Sequence, residues 1–307
     1  MEPIDHAPEG IETLRDIVRY AASRFNEAGL VFGHGTDNAI DEAAALALHA
    51  LHLPADLPDP YWGARLTRGE RAAVMARVRR RIEERLPLPY ITHETYFAGL
   101  PFYVDQRVLV PRSPLAELIE AGFRPWLDPE RVERVLEIGT GSGCIAVACA
   151  YAFPYARVDA TDVDLDALDV AAINVHRHDL EDRVALVEAD VYEGLPQQRR
   201  YQLIVTNPPY VDASAMAALP AEYRHEPRCA LAAGEDGLTV VRRILHGAGK
   251  RLAEDGILVV EVGDAEDAVA EAFGELPLTW LELERGGYGV FLLTGEQLQE
   301  ALAAGAL

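Results

Sequence analysis

From Arg134 onward the chain alternates short apolar runs with stretches of helical periodicity, and this alternation restricts the possible fold more than any other feature. Arg134-Val135-Leu136-Glu137-Ile138 reads as a strand, a helix follows through Ala146 to Ala152, and Arg157 to Thr161 reads as the next strand. A helix from Leu165 to Val175, strands at Val184 to Glu188 and Tyr201 to Thr206, a helix near Leu238 to Leu252 and a strand at Ile257 to Val262 extend the series. Parallel strands need crossover connections, so the pattern predicts an α/β fold with a mostly parallel sheet covered on both faces. Two last strands, Leu278 to Leu283 and Gly289 to Thr294, flank Gly286-Gly287 and read as an antiparallel hairpin.

The segment before this series differs. Leu14, Ile17, Val18 and Ala21 recur at helical steps, as do Ala43, Leu46, Ala47 and Leu51. A further helix runs from Thr67 to Leu86, with Thr67 as N-cap and Glu70 at the capping-box distance. From Pro87 to Val110, prolines, aromatics and β-branched residues such as Tyr90, Ile91, Thr92, Tyr96 and Phe97 predict short strands forming a hairpin linker. The expected division is a helical domain over 1–88, a β linker over 89–112 and an α/β domain over 113–307, which suits a chain of 307 residues.

The net charge of −22 disfavours nucleic acid as substrate and favours a basic protein. The one dense basic run, Arg77 to Arg81, is followed by Glu83 and Glu84 and reads as a solvated helix face. Cys144, Cys149 and Cys229 have no metal or disulfide spacing, and no apolar stretch has the length of a membrane span. With an acidic start unlike a signal peptide, the expectation is a cytoplasmic protein without a metal.

After the first core strand comes Glu137-Ile138-Gly139-Thr140-Gly141-Ser142-Gly143, at the carboxyl edge of the sheet, where ligands bind in doubly wound folds. The third glycine sits one place earlier than in the dinucleotide fingerprint, and Asp162, 23 residues beyond Gly139, is placed to accept two ribose hydroxyls. Ribose binding suits both a dinucleotide and S-adenosylmethionine. The terminal hairpin, however, resembles the seven-stranded, Rossmann-like class I methyltransferase sheet and not a dehydrogenase.

The fourth core strand ends in Asn207-Pro208-Pro209-Tyr210. A conjugated nitrogen is a poor nucleophile, so an enzyme that methylates it must aim the nitrogen and weaken its delocalisation. The Asn207 side-chain oxygen and the Pro208 carbonyl are the acceptors for its N–H groups, the two prolines stiffen the loop, and Tyr210 stacks on the flat group. An amide and an exocyclic adenine or guanine amino group satisfy this chemistry equally.

Together these residues resemble the bacterial glutamine methyltransferases of the translation machinery, over nearly the whole chain. The later segments Glu226-Pro227, Ala230-Leu231 and Gly234 to Leu238 carry the same likeness. The resemblance implies S-adenosylmethionine as cofactor, held by Glu137, Gly139, Thr140, Gly141, Gly143, Asp162, Asp190 and Asn207, with Asp190 at the adenine amino group. It also implies catalytic roles for Asn207, Pro208, Pro209 and Tyr210, and a substrate-recognition role for the helical domain. Val110-Pro111-Arg112-Ser113-Pro114 departs from the Pro-Arg-Pro of the release-factor branch. Together with Leu219 to Pro227 and Thr279 to Glu282, it resembles the branch acting on large-subunit ribosomal protein L-three. Release factors are the alternative substrate, and nucleic-acid amino groups a more distant one. Arg112 is placed either to bind a ligand or to tie the linker to the core.

Overall fold

The computed structural model describes residues 8–307. They form two compact units, one made of the chain up to Glu94 with Pro220–His225, the other of Thr95–Leu219 with Glu226–Leu307.

The first unit is built on α1 (Leu14–Glu27), α2 (Ala39–Ala50), α3 (Arg68–Glu83) and α4 (Leu88–Thr92). Thr13 and Thr67 close capping boxes with Asp16 and Glu70, and Asn38 caps α2. Each cap satisfies backbone N–H groups that the first helical turn leaves unpaired. Leu14, Ile17, Ala21 and Phe25 of α1 bury against Ala43 and Leu46 of α2 and Val74 and Val78 of α3. Each such large side chain contributes about 1.5–3 kcal/mol by leaving water.

Two readings change here. Tyr90, Ile91 and Thr92 lie in α4 and not in a strand. Pro87 and Pro89 preset the backbone of a first helical turn, and burial of Leu88, Tyr90 and Ile91 outweighs their β propensity. Arg81, expected on a solvated face, is 1% exposed, because Glu42 accepts from its Nε at 2.5 Å, with Glu222 at 3.5 Å from Nη1 and the Val31 carbonyl at 3.0 Å from Nη2.

The second unit opens with β1 (Thr95–Phe97) and β2 (Leu100–Phe102), an antiparallel hairpin joined through Ala98 and Gly99, both at positive φ. After α5 (Leu115–Glu120) come β3 (Arg134–Ile138), α6 (Cys144–Ala152), β4 (Arg157–Asp162), α7 (Leu165–Arg177), β5 (Val184–Glu188) and β6 (Tyr201–Thr206). The chain continues through α8 (Ala213–Ala218), α9 (Thr239–Ala248), β7 (Leu252–Glu261), α10 (Glu266–Ala272), β8 (Thr279–Trp280), β9 (Val290–Thr294) and α11 (Gly295–Ala304). The sheet order is β5-β4-β3-β6-β7-β9-β8, parallel from β5 to β7, with β9 antiparallel to both its neighbours. This is the seven-stranded class I methyltransferase sheet expected from the sequence.

Alternate residues feed two cores. Val135, Leu203, Val205 and Val259 pack on one side of the sheet, while Leu136, Ile204, Leu258 and Val260 pack on the other. From β3 the chain turns one way to β4 and β5, then returns to the other side at β6. The carboxyl ends of β3 and β6 therefore flank the point of reversal, where an open sheet leaves a crevice.

Candidate active site

The loop leaving β3 depends on glycine. Gly139, Gly141 and Gly143 have φ of +73°, +53° and +79°, a region that costs other residues strain. A Cβ on Gly139 or Gly141 would project into open space, whereas on Gly143 it would meet the Ala171 Cβ at 3.2 Å. The first two glycines leave room for a ligand, and the third lets α7 approach the loop. The Thr161 carbonyl pins the turn by accepting from the N–H groups of Gly139 and Thr140, both at 2.8 Å.

Asp162, at the end of β4, accepts from Gly141 N–H at 2.9 Å and Asp164 N–H at 3.0 Å. One lone pair on each carboxylate oxygen remains, enough for a pair of ribose hydroxyls. Burial raises its pKa above the usual carboxylate range, with hydrogen bonds from Asp164 and Gly141 opposing. Glu137 is 1% exposed, and its Oε2 accepts from the Thr140 hydroxyl at 2.5 Å, while Oε1 has no hydrogen-bond partner among the described residues. Burial pushes its pKa up to about 8. A buried carboxyl with one oxygen unsatisfied, held largely protonated near neutral pH by burial, is one that a cationic ligand such as S-adenosylmethionine would bring into its ionised form.

An open cleft of about 190 Å³ lies over these groups. Gly139, Gly141, Asp162, Asp190, Asn207, Pro208 and Pro209 line it; Glu137, Thr140, Gly143 and Tyr210 do not. Asp190 faces the cleft while holding Arg243 Nη1 at 2.7 Å, so an adenine amino group would share that carboxylate with a guanidinium.

The Thr206 hydroxyl donates to the Ile138 carbonyl at 2.7 Å, which fastens the end of β6 to the end of β3 and sets Asn207 beside the glycine loop. Beyond the cleft is a smaller pocket, lined by Arg112, Asn207, Tyr210, Val211, Leu231 and Glu261 among others. Asn207, Leu109 and Ala230 belong to both. Glycines make the motif loop possible from behind: a Cβ on Gly237 would lie 2.6 Å from the Tyr210 carbonyl oxygen, and one on Gly263 2.8 Å from the Tyr210 ring. Arg112 makes a forked ion pair with buried Glu226, at 2.5 Å and 2.8 Å, and also edges the smaller pocket. It ties the linker to the segment after the motif.

Sequence reasoning did not find Glu261, Ser113 or the cleft wall made by Arg107, Val108 and Leu109. For Glu261 a signal existed: a lone carboxylate closing the apolar run Ile257 to Val260. The linker wall had none, because only the fold folds it over the cofactor loop.

Residues 123–222 match the methyltransferase small domain. The ribosomal protein uL3 glutamine methyltransferase of Neisseria gonorrhoeae is 50% identical over 295 residues, covering 96% of this chain and 98% of that protein. The chain belongs to this family. The enzyme of the same name from Bordetella pertussis is 51% identical over 289 residues, 94% of this chain and 97% of its own length. Among solved structures, the hMettl16 catalytic domain in complex with a MAT2A 3′UTR hairpin matches with a TM-score of 0.52 at 18% identity, over 76% of this chain and 85% of that one. That likeness is one of fold. The chain is therefore a methyltransferase, on a sheet whose crevice carries the family's two motifs.

Asp162→Ala is expected to weaken binding of S-adenosylmethionine by about 10–100-fold, the loss of one or two hydrogen bonds to a charged group. Isothermal titration calorimetry reads this directly, and unchanged affinity would remove Asp162 from the cofactor site.

Proposed function

We propose that this chain transfers the methyl group of S-adenosylmethionine to the side-chain amide nitrogen of one glutamine in ribosomal protein uL3, the L-three protein of the large subunit. The reading is carried by the place of Asn207, on the wall shared by the cleft beside the glycine loop and a smaller pocket, in a chain half identical to enzymes named for this reaction.

When bound, S-adenosylmethionine supplies a methyl group activated by sulfonium charge. The glycine loop leaves space for it, Asp162 takes the ribose hydroxyls, Asp190 takes the adenine amino group, and Glu137, which the nearby cation would hold ionised, adds negative charge beneath the loop. Asn207 Oδ1 and the Pro208 carbonyl accept the two N–H groups of the glutamine amide. This holds the nitrogen in line and draws its lone pair out of conjugation. Pro208 and Pro209 keep the two acceptors aimed, and Tyr210 walls the acceptor pocket against water. Transfer from the cationic donor to the neutral acceptor leaves the positive charge on the methylated nitrogen, whose extra proton passes to water afterwards, so the site requires no strong base and its contribution is orientation and preorganised electrostatics.

The helical domain over 1–88 recognises the substrate in this account, and the linker over 89–112 joins it to the catalytic domain over 113–307. A net charge of −22 steers a basic ribosomal protein toward the enzyme and repels nucleic acid, which we take not to be a direct substrate. The encounter belongs to the cytoplasm, where free thiols such as Cys144, Cys149 and Cys229 stay reduced. Incubating the enzyme with labelled S-adenosylmethionine and purified uL3 or release factor is expected to label uL3 alone. Label in the release factor only would overturn the substrate.

A further inference from the structure

Glu261 ends β7, is 5% exposed and opens onto the smaller pocket. The Ser113 hydroxyl donates to its Oε2, the Asn207 side chain lines the same pocket beside this carboxylate and pulls its pKa down, and the Arg112 guanidinium attracts it. The approach of the Asn207 amide to an ionised carboxylate has a fixed sense. An ionised carboxylate only accepts, and the only donor on an asparagine side chain is Nδ2. Nδ2 must therefore face Glu261, which leaves Oδ1 on the opposite edge of the amide.

We propose that Glu261 is a positioning residue for methyl transfer, which locks the Asn207 amide in the one orientation that presents Oδ1 to the acceptor nitrogen. The inference rests on the role of Asn207 given above and adds what sets its direction. An asparagine amide has nearly the same shape when flipped, so packing alone selects weakly between an acceptor and a donor facing the substrate. In the flipped state N–H would meet N–H and the acceptor amide would be repelled. A glutamine at 261 both donates and accepts, and so supports either orientation.

The lock is sensitive to pH. Burial pushes the Glu261 carboxyl up to about 7, against the pull of Ser113, Arg112 and Asn207. The groups facing it are Ser113 and Arg112 from the linker and Asn207 and Tyr210 from the motif loop, with apolar Val290 opposite on β9. Arg112 keeps its charge, and the Tyr210 hydroxyl is raised further above neutrality by burial, so Glu261 is the group among these that titrates near neutral pH. Above that point it is ionised and holds Nδ2; below it the protonated carboxyl can donate to Oδ1 and turn the amide over.

The test uses the full-length enzyme with uL3. Glu261→Gln is expected to lower kcat by about 10–100-fold, the cost of a misaimed group in a transition state, with S-adenosylmethionine affinity and thermal unfolding close to wild type. The wild-type kcat should fall as the pH drops through about 7, and Glu261→Gln should lack this limb. In an Asn207→Ala background Glu261→Gln should cost nothing further, since the carboxylate then has no amide to orient. Ser113→Ala, a milder change, should keep the limb and move it to higher pH. Wild-type kcat in Glu261→Gln, or the same loss in both backgrounds, overturns the proposal. Full activity of Asn207→Ala alone would instead overturn the role of Asn207.

Discussion

Asn207→Ala is expected to lower kcat for uL3 by about 10²–10³-fold while S-adenosylmethionine affinity changes little. The magnitude is that of deleting one preorganised hydrogen-bonding group aimed at a reacting atom. Donor binding should survive because the cleft keeps Asp162, Asp190 and the glycine loop, and Asn207 forms only part of the wall between cleft and pocket. The loss should appear in single-turnover transfer, with calorimetry on the same preparation confirming that the cofactor still binds. Tyr210 cannot stand in for the missing acceptor, since its ring is fixed against Gly263.

The second large effect concerns stability and lies in the helical unit. Arg81→Met should destabilise that unit by about 3–5 kcal/mol, the usual cost of breaking a buried ion pair by removing one partner. The substitution leaves Glu42 and Glu222, each 1% exposed, without the guanidinium between them. It also leaves the Val31 carbonyl without its donor at 3.0 Å. Burial by itself raises Glu222, but the Val31 N–H, Arg85 and Arg81 together hold its pKa below the usual carboxylate value. Arg85 still reaches Glu222 at 3.1 Å and preserves part of the network, while Glu42 keeps the Thr36 hydroxyl at 2.9 Å. Urea unfolding compared with wild type measures the change; a loss under 1 kcal/mol would mean that water or another cation replaces Arg81.

What the sequence revealed follows from the range of the forces involved. The strands β3 and β6 were legible because strands buried on both faces are near-continuous apolar runs. The cap of α3 was legible because a capping box lies within four residues. The helix α4 was not, since Tyr90-Ile91-Thr92 has β propensity and only packing of Leu88, Tyr90 and Ile91 decides against it. Arg81 could not be placed either: its partner Glu222 lies 141 residues away, in the segment Pro220–His225 that joins the helical unit. At the site, Gly139, Gly141, Asp162 and Asn207 to Pro209 follow from loop and strand-end positions, and the structure sets them around one cleft. Gly143 belongs to packing against Ala171, and Tyr210 to the second pocket. Glu261 and Ser113 meet across 148 positions, so no local pattern joins them.

The central claim is that the methyl acceptor is one glutamine side chain of uL3. Mass spectrometry of ribosomal proteins from cells with and without this gene tests it most directly. In cells without the gene, uL3 alone should become lighter by about 14 mass units, roughly one CH₂, with fragment ions placing the change on a single glutamine. An unaltered uL3, with the missing methyl group found on a release factor or on ribosomal RNA, would contradict it.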